Sequence, residues 1–284
     1  MIAPPPEGVV RAAVEASLAE DRAAEDVTTL AAVTPSHRGT ARFLAKQDGV
    51  LAGMLVALEA FRVFDPVAEL VIHVQEGEAF RSRTVLAEVT CTVRAMLQAE
   101  RVALNYLQRL CGTATLTRAF VQAVDGTSAV ILDTRQTTPG LRDLEKYAVR
   151  CGGGTNHRRD LASMAMIKDN HREALARAEL SLAEDVAAIR ERTPGVAVEV
   201  EIDALDQLEA ALEANPEWIL LDNMSNADMA EAVRHTRGRA KLEASGGVNL
   251  KTVRAIAETG VDAISVGALT HSAGSVDISL DLEF

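Results

Sequence analysis

Hydrophobic spacing divides the chain into two rhythms. From Glu7, apolar residues at Val9, Val10, Ala13, Val14, Ala16 and Leu18 recur at helical intervals and predict an amphipathic helix to about Ala19. Residues 20–29 are charged and read as a polar turn. Strands are expected over 39–47, 70–75 and 85–93, with Gly77 in a turn. A helix over 50–64 presents Leu51, Leu55, Leu58, Phe61 and Phe64 on one face. These elements make the first hundred residues an α+β unit on a small antiparallel sheet. Helices follow at 94–110 and 113–124, the first interrupted by Glu100 and Arg101.

The rhythm then changes. Short apolar runs at 129–133, 164–168, 197–202, 217–222, 240–244 and 262–266 alternate with helical patterns at 141–150, 172–192, 204–214, 225–235 and 248–259. That is the pattern of repeated βα units with parallel strands. Polar residues stand at nearly every strand end: Asp133 and Arg135, Lys168, Glu201 and Asp203, Asp222 and Asn223, Glu243 and Ser245, and Gly267. A barrel gathers such ends at one mouth. No GxGxxG follows the first strand, which removes the dinucleotide fingerprint of an open doubly wound sheet. Six units are visible, so the expected architecture is an incomplete, open α/β barrel (113–271) behind an N-terminal α+β sandwich domain (1–112). The period-two ending DISLDLEF returns to the first sheet, joining 272–284 to it.

Composition narrows the function classes. The formal charge is -12, which disfavours nucleic acid or an anionic membrane as the main partner. Aromatic residues make up 3% of the chain, too few for a base-stacking surface. There is no apolar run long enough to span a membrane, and MIAPPPEG lacks the basic and apolar regions of a signal peptide. The three cysteines, Cys91, Cys111 and Cys151, have no CxxC spacing, as expected in a reducing cytoplasm.

Against this acidic background, residues 131–171 concentrate Arg135, His157, Arg158 and Lys168 around a Gly152–Gly154 loop, a layout that suits a polyanionic ligand. Arg159 and His171 are weaker candidates, Arg159 because Asp160 adjoins it. Ser245-Gly246-Gly247 and Gly267-Ala268 follow the last two barrel strands, where glycine lets backbone N–H groups approach a phosphate. Glu201 and Asp222, ending successive strands, can orient sugar hydroxyls or share hydrated Mg²⁺; Glu199 alternates with Glu201 on one strand face. No serine triad order or HExxH is present.

The stretches AERVALNYLQRLCGTAT, LDTRQTTPGLRDLEKYAVRCGGGTNHR, IKDNH, VEVEID, ILLDNM, LEASGGVN and VDAISVGALTHS, in this order, resemble the quinolinate phosphoribosyltransferase family over almost the whole chain. The resemblance implies transfer of phosphoribose from 5-phosphoribosyl-1-pyrophosphate to quinolinate with Mg²⁺, giving nicotinate mononucleotide, pyrophosphate and CO₂. It further implies a cytoplasmic homodimer with shared active sites, open to higher assembly. By motif, Arg135, His157, Arg158 and Lys168 would bind the acceptor carboxylates and neighbouring phosphates, and Arg101 would reach the other subunit's site. Glu201 and Asp222 would face the ribose and metal, with Lys168 the third catalytic group; Ser245, Gly246, Gly247, Gly267 and Ala268 would hold the 5'-phosphate. The chain departs from the pattern at Gln136, where the family has lysine, at Asp160, Leu161 and Ser163 after NHR, and at Ala23-Ala24-Glu25. These departures leave two rivals: a paralogue with another aromatic acid or heterocycle as acceptor, of the molybdenum-transport-associated kind, and a phosphosugar-binding scaffold.

Overall fold

The computed structural model describes residues 2–177 and 181–283, which form two compact units. Of the described residues, the first comprises 2–118, 136–153 and 269–283, and the second 119–135, 154–177 and 181–268. Compared with the division expected at 112/113, the segment 136–153 lies with the N-terminal residues. Its helix Arg142–Cys151 buries Leu144, Tyr147 and Cys151 in the core of the first unit.

In the first unit, helix α1 (Glu7–Glu20) buries Val10, Val14 and Leu18, the i, i+4, i+8 stripe of its sequence. The 20–29 turn is more structured than its polarity suggests. A 3-10 turn at Ala23–Glu25 leads into α2 (Val27–Ala32), because the Asp26 carboxylate accepts from the amides of Thr28 and Thr29 at 3.0 and 3.1 Å. β1 (Arg38–Ala45), β3 (Glu69–Ile72), β5 (Val85–Thr92) and β12 (Ile278–Glu283) form an antiparallel sheet in the order β12-β1-β5-β3, and β2 (Gly49–Val50) pairs with β4 (Ala79–Phe80). The C-terminal strand returns as expected, Phe43 pairing with Leu280. The helix expected from 50 starts only at α3 (Met54–Phe64), since Gly49 and Val50 are taken by β2. The Glu76 carboxylate accepts from the Gly53 and Met54 amides at α3's N-terminus, at 2.9 and 2.8 Å. Phe43 and Phe61, both fully buried, meet edge to face at 6.2 Å.

The two helices expected at 94–110 and 113–124 are one, α4 (Val93–Ala123). Gly112 does not break it. A Cβ there would lie 2.0 Å from the Gly274 carbonyl oxygen, so this glycine serves a close backbone approach rather than a turn.

Among its described residues the second unit contains six parallel strands: β6 (Val130–Leu132), β7 (Ala165–Ile167), β8 (Val198–Ile202), β9 (Trp218–Asp222), β10 (Lys241–Ser245) and β11 (Ala263–Ser265). Their order is β6-β11-β10-β9-β8-β7, with β6 and β7 at the two edges, as in an open barrel. α5 is Arg142–Cys151 of the first unit. The described helices between the barrel strands are α6 (Asp169–Arg177), α7 (Leu182–Arg192), α8 (Leu208–Glu213), α9 (Asn226–Thr236) and α10 (Val253–Ala257), with α11 (Ala268–His271) after β11. The helix expected over 172–192 is therefore represented by α6 and α7; the part of that expectation on 178–180 lies outside the described residues. α7 opens with a capping box between Ser181 and Glu184. α10 begins later than expected, since Asn249 and Thr252 close a turn ahead of it through Lys251 N–H to Asn249 Oδ1 and Asn249 N–H to Thr252 Oγ1.

Alternation along the strands sets up the site. In β8, Val198, Val200 and Ile202 occupy one face while Glu199 and Glu201 share the other; in β10, Leu242 and Ala244 oppose Glu243 and Ser245. A carboxylate inside a buried strand is costly unless it finds partners. Each of these does.

Candidate active site

The second unit holds Arg135, His157, Arg158, Lys168, Glu201, Asp222, Ser245–Gly247, Gly267 and Ala268; Arg101 and Gln136 belong to the first. Asp133, fully buried just past β6, anchors the Asn156-His157 turn. Its carboxylate accepts the His157 amide at 2.9 Å and Asn156 Nδ2 at 2.6 Å. The turn itself continues β6 through the Leu132–Thr155 bridge.

From that anchor the His157 ring points at two buried carboxylates. Nε2 is 3.1 Å from Glu199 Oε2 on β8 and 3.1 Å from Glu243 Oε2 on β10. Glu243 also accepts from Ser265 Oγ of β11. Nδ1 accepts the Arg158 backbone N–H at 2.7 Å. Desolvation opposes charge on this ring, and the bonds to Glu199 and Glu243 favour it. Burial also raises the Glu199 carboxyl; its bond to His157 works against that, and the charge of Glu243 adds to it.

These three groups have the mutual spacing of a cation site. The Arg158 amide argues for a different chemistry. With Nδ1 accepting, the neutral ring carries its proton on Nε2, which then donates to the carboxylates and has no lone pair for a metal.

Of the four expected basic residues, His157 and Lys168 are paired with acids. Lys168 Nζ lies 2.5 Å from Glu201 Oε2, and the Lys168 amide donates to His171 Nδ1 at 3.0 Å. The half-buried Arg158 guanidinium donates to the Met164 carbonyl at 3.1 Å and to Met166 Sδ at 3.3 Å. Desolvation, then repulsion from Arg135, lowers its pKa, so the two arginines are electrostatic neighbours. Such a pair is stabilised by an anion placed against it. Arg159 pairs with Asp160 at 3.0 Å on the surface, as its sequence neighbourhood suggested. Asp160 meanwhile accepts the Ala162 and Ser163 amides, closing its own turn.

At the strand ends of β9 and β10, Ser245 pairs with Asp222 and the Asn223 amide donates to the Ser245 carbonyl at 2.9 Å. Asn223 Nδ2 donates to Asp222 at 2.8 Å. Gly246 (φ +94°) lies so close to Asn223 that a Cβ would come within 2.1 Å of Oδ1, whereas Gly247 (φ +60°) faces open space. Gly267 and Ala268 sit at the turn into α11. Glu201 and Asp222 offer hard oxygen donors on adjacent strands, which suits Mg²⁺ held by few carboxylates and by substrate oxygens.

In the first unit, exposed Arg101 lines a cleft of about 480 Å³ with Ser17, Asn105, Tyr106 and Arg109. Gln136 is exposed, and its carbonyl accepts Thr270 Oγ1 at 2.6 Å.

Sequence reasoning missed the roles of Glu243, Asp133 and Ser265, and placed Glu199 only as alternating with Glu201 on one strand face, with salt bridges between strand ends as the other reading of either. The usable signal was a carboxylate at an inward position of an apolar strand, VEVEI and KLEAS, which demands a partner.

Comparison with known proteins bears on the whole chain. The model for the quinolinate phosphoribosyl transferase N-terminal domain matches residues 26–111, and that for the C-terminal domain matches 113–281. The chain belongs to the quinolinate phosphoribosyltransferase family. It is 43% identical to nicotinate-nucleotide pyrophosphorylase [carboxylating] of Mycobacterium leprae, covering 96% of each. It is 38% identical to quinolinate phosphoribosyltransferase [decarboxylating] 1b of Nicotiana tabacum, over 96% of this chain and 82% of that one. The nicotinate-nucleotide pyrophosphorylase structure from Francisella tularensis superposes with a TM-score of 0.91 at 36% identity, covering 100% of this chain and 99% of that one. This family architecture, an antiparallel-sheet domain plus an open parallel barrel, is the one read from the sequence. No helix among the described residues is long and apolar enough to cross a membrane.

Proposed function

We propose that this quinolinate phosphoribosyltransferase moves phosphoribose from 5-phosphoribosyl-1-pyrophosphate to quinolinate and releases CO₂ in forming nicotinate mononucleotide. Family membership over nearly the whole chain supports the activity. The observation that carries it to the site is the Arg135–Arg158 neighbourhood beside the Lys168–Glu201 pair, a cationic arrangement suited to a dicarboxylate.

Arg135, Arg158 and Lys168 bind the acceptor carboxylates and adjacent phosphates, and His157 belongs to the same acceptor wall. Ser245, Gly246, Gly247, Gly267 and Ala268 receive the 5'-phosphate, using the backbone amides that glycine leaves open. Glu201 and Asp222 orient the ribose hydroxyls and hold Mg²⁺ jointly with the substrate. When bound, Mg²⁺ supplies charge neutralisation to the departing pyrophosphate. The pyridine nitrogen attacks C1 of the ribose as the C1–O bond to pyrophosphate breaks. The ring, now cationic, accepts the electron pair of the C2–carboxylate bond as CO₂ leaves, and C2 takes up a proton. No general base is needed for that step, so the protein's work is positioning and neutralisation. A second copy completes each site through its Arg101, making the working form a homodimer, and the setting is cytoplasmic.

Incubation with phosphoribosyl pyrophosphate and a panel of quinolinate, nicotinate and other pyridine carboxylates tests the reading. Quinolinate should be the acceptor with the highest kcat/KM and should yield CO₂. Turnover of another acid in its place would establish the diverged paralogue, and ligand binding without turnover would establish the scaffold.

A further inference from the structure

The acceptor site has a floor that the proposed chemistry does not use. Beneath Arg158, the His157 ring has both nitrogens engaged by protein groups: Nδ1 by the Arg158 amide at 2.7 Å, and Nε2 by Glu199 and Glu243 at 3.1 Å each. The His157 side chain is 8% exposed and the two carboxylates are 0% and 2% exposed. Two buried carboxylates near enough to the Arg158 guanidinium to act on its charge would be an expensive arrangement for a mere space-filler. Apolar residues would close a barrel floor at less cost.

The connections of the ring run in one direction. β8 supplies Glu199, β10 supplies Glu243, and Ser265 of β11 donates to Glu243 from its far side. The ring thus ties three barrel strands to the 155–158 turn. Asp133 ties the same turn to the end of β6 through the His157 amide. The next residue along is Arg158, whose guanidinium is steered by the Met164 carbonyl and Met166. The backbone on which Arg158 rides is therefore fixed by a proton at Nε2 and an unprotonated Nδ1.

We infer that Glu199 and Glu243 are positioning residues for acceptor recognition: they hold His157 as the Nε2–H tautomer, and His157 in turn fixes the backbone of Arg158. The dicarboxylate then meets a guanidinium already aimed, and the entropy of ordering it is spent in folding, not in binding. The turn proposed for the 5'-phosphate has contacts of its own, from Asn223 to Asp222 and between Gly246 and Asn223, so phosphoribosyl pyrophosphate binding serves as the control.

This inference rests on the phosphoribosyl-transfer reading for the identity of its ligand, and the experiment separates the two. In uniformly ¹⁵N-labelled full-length protein, the His157 ring should show a protonated, slowly exchanging Nε2 and an unprotonated Nδ1. In Glu199→Gln and Glu243→Gln those signals should shift. Calorimetry should then show quinolinate affinity at least about tenfold weaker in each variant, with phosphoribosyl pyrophosphate affinity within about twofold of wild type. A purely structural role would weaken both ligands together and lower Tm. A His157 ring protonated on Nδ1 with a bare Nε2 would overturn the inference, as would unchanged quinolinate affinity in both folded variants. Should either variant fail to fold, the wild-type ring spectrum still decides. If wild-type protein binds no quinolinate at all, the acceptor reading fails, while the ring spectrum continues to judge the triad on its own.

Discussion

At position 136, glutamine stands where the family pattern has lysine, and its exposed side chain follows Arg135 directly in the loop after β6. Glutamine keeps length and a donor but removes a mobile positive charge. A well-aimed transition-state donor is worth on the order of 3 kcal/mol, or about 10²-fold in rate. We expect Gln136→Lys to raise kcat/KM for quinolinate at least about tenfold; steady-state kinetics with wild-type turnover already robust and no gain from lysine would remove this position from the site. Gly246 makes a cleaner geometric case. Alanine there must adopt φ near +94° and displace Asn223, whose Oδ1 would lie 2.1 Å from the new Cβ. Gly247→Ala meets only the backbone strain, since nothing lies within 4 Å. Phosphoribosyl pyrophosphate should therefore bind about tenfold more weakly to Gly246→Ala than to Gly247→Ala, and equal affinities by calorimetry would contradict the assignment. The buried thiols are spectators by comparison: desolvation raises Cys91 and Cys151 to about 12, leaving little thiolate at neutral pH.

Elements show why some of this was legible in sequence and some was not. The period-two alternation of β8 and β10 and the helical spacing of α1 are local signals, and they yielded strands and helix with near-correct bounds. The partners of a side chain are not local. Nothing within VEVEI says that Glu199 meets His157 of the 155–158 turn, or within KLEAS that Glu243 does, because only the assembled sheet brings these segments together. α2 was missed for a related reason, in that a single Asp26 cap outweighs a polar composition. The single helix α4 was read as two because the reason for Gly112, the Gly274 backbone, lies far along the chain.

For the molecule as a whole, the proposed shared site makes a prediction that no single-chain property can. Arg101 is exposed on α4, one turn from the partly exposed Leu97, in a cleft of the first unit, while Lys168 and Glu201 belong to the second. Arg101→Ala and Lys168→Ala should each be nearly inactive, and mixing them under conditions of verified subunit exchange should restore up to about a quarter of wild-type activity, through one intact site in each hybrid dimer. Absence of recovery would dismiss the shared site and leave the barrel chemistry untouched.

The central claim is that acceptor, phosphoribose and carboxylate loss are handled as one reaction in this barrel. Quinolinate labelled with ¹³C separately in its 2- and 3-carboxyl groups tests it most directly, with pyrophosphate and nicotinate mononucleotide followed in the same reaction. Labelled CO₂ is expected from the 2-carboxyl substrate alone, in a 1:1:1 ratio with pyrophosphate and mononucleotide, and only when phosphoribosyl pyrophosphate is present. Label released from the 3-carboxyl group, or pyrophosphate formed without CO₂, would contradict it.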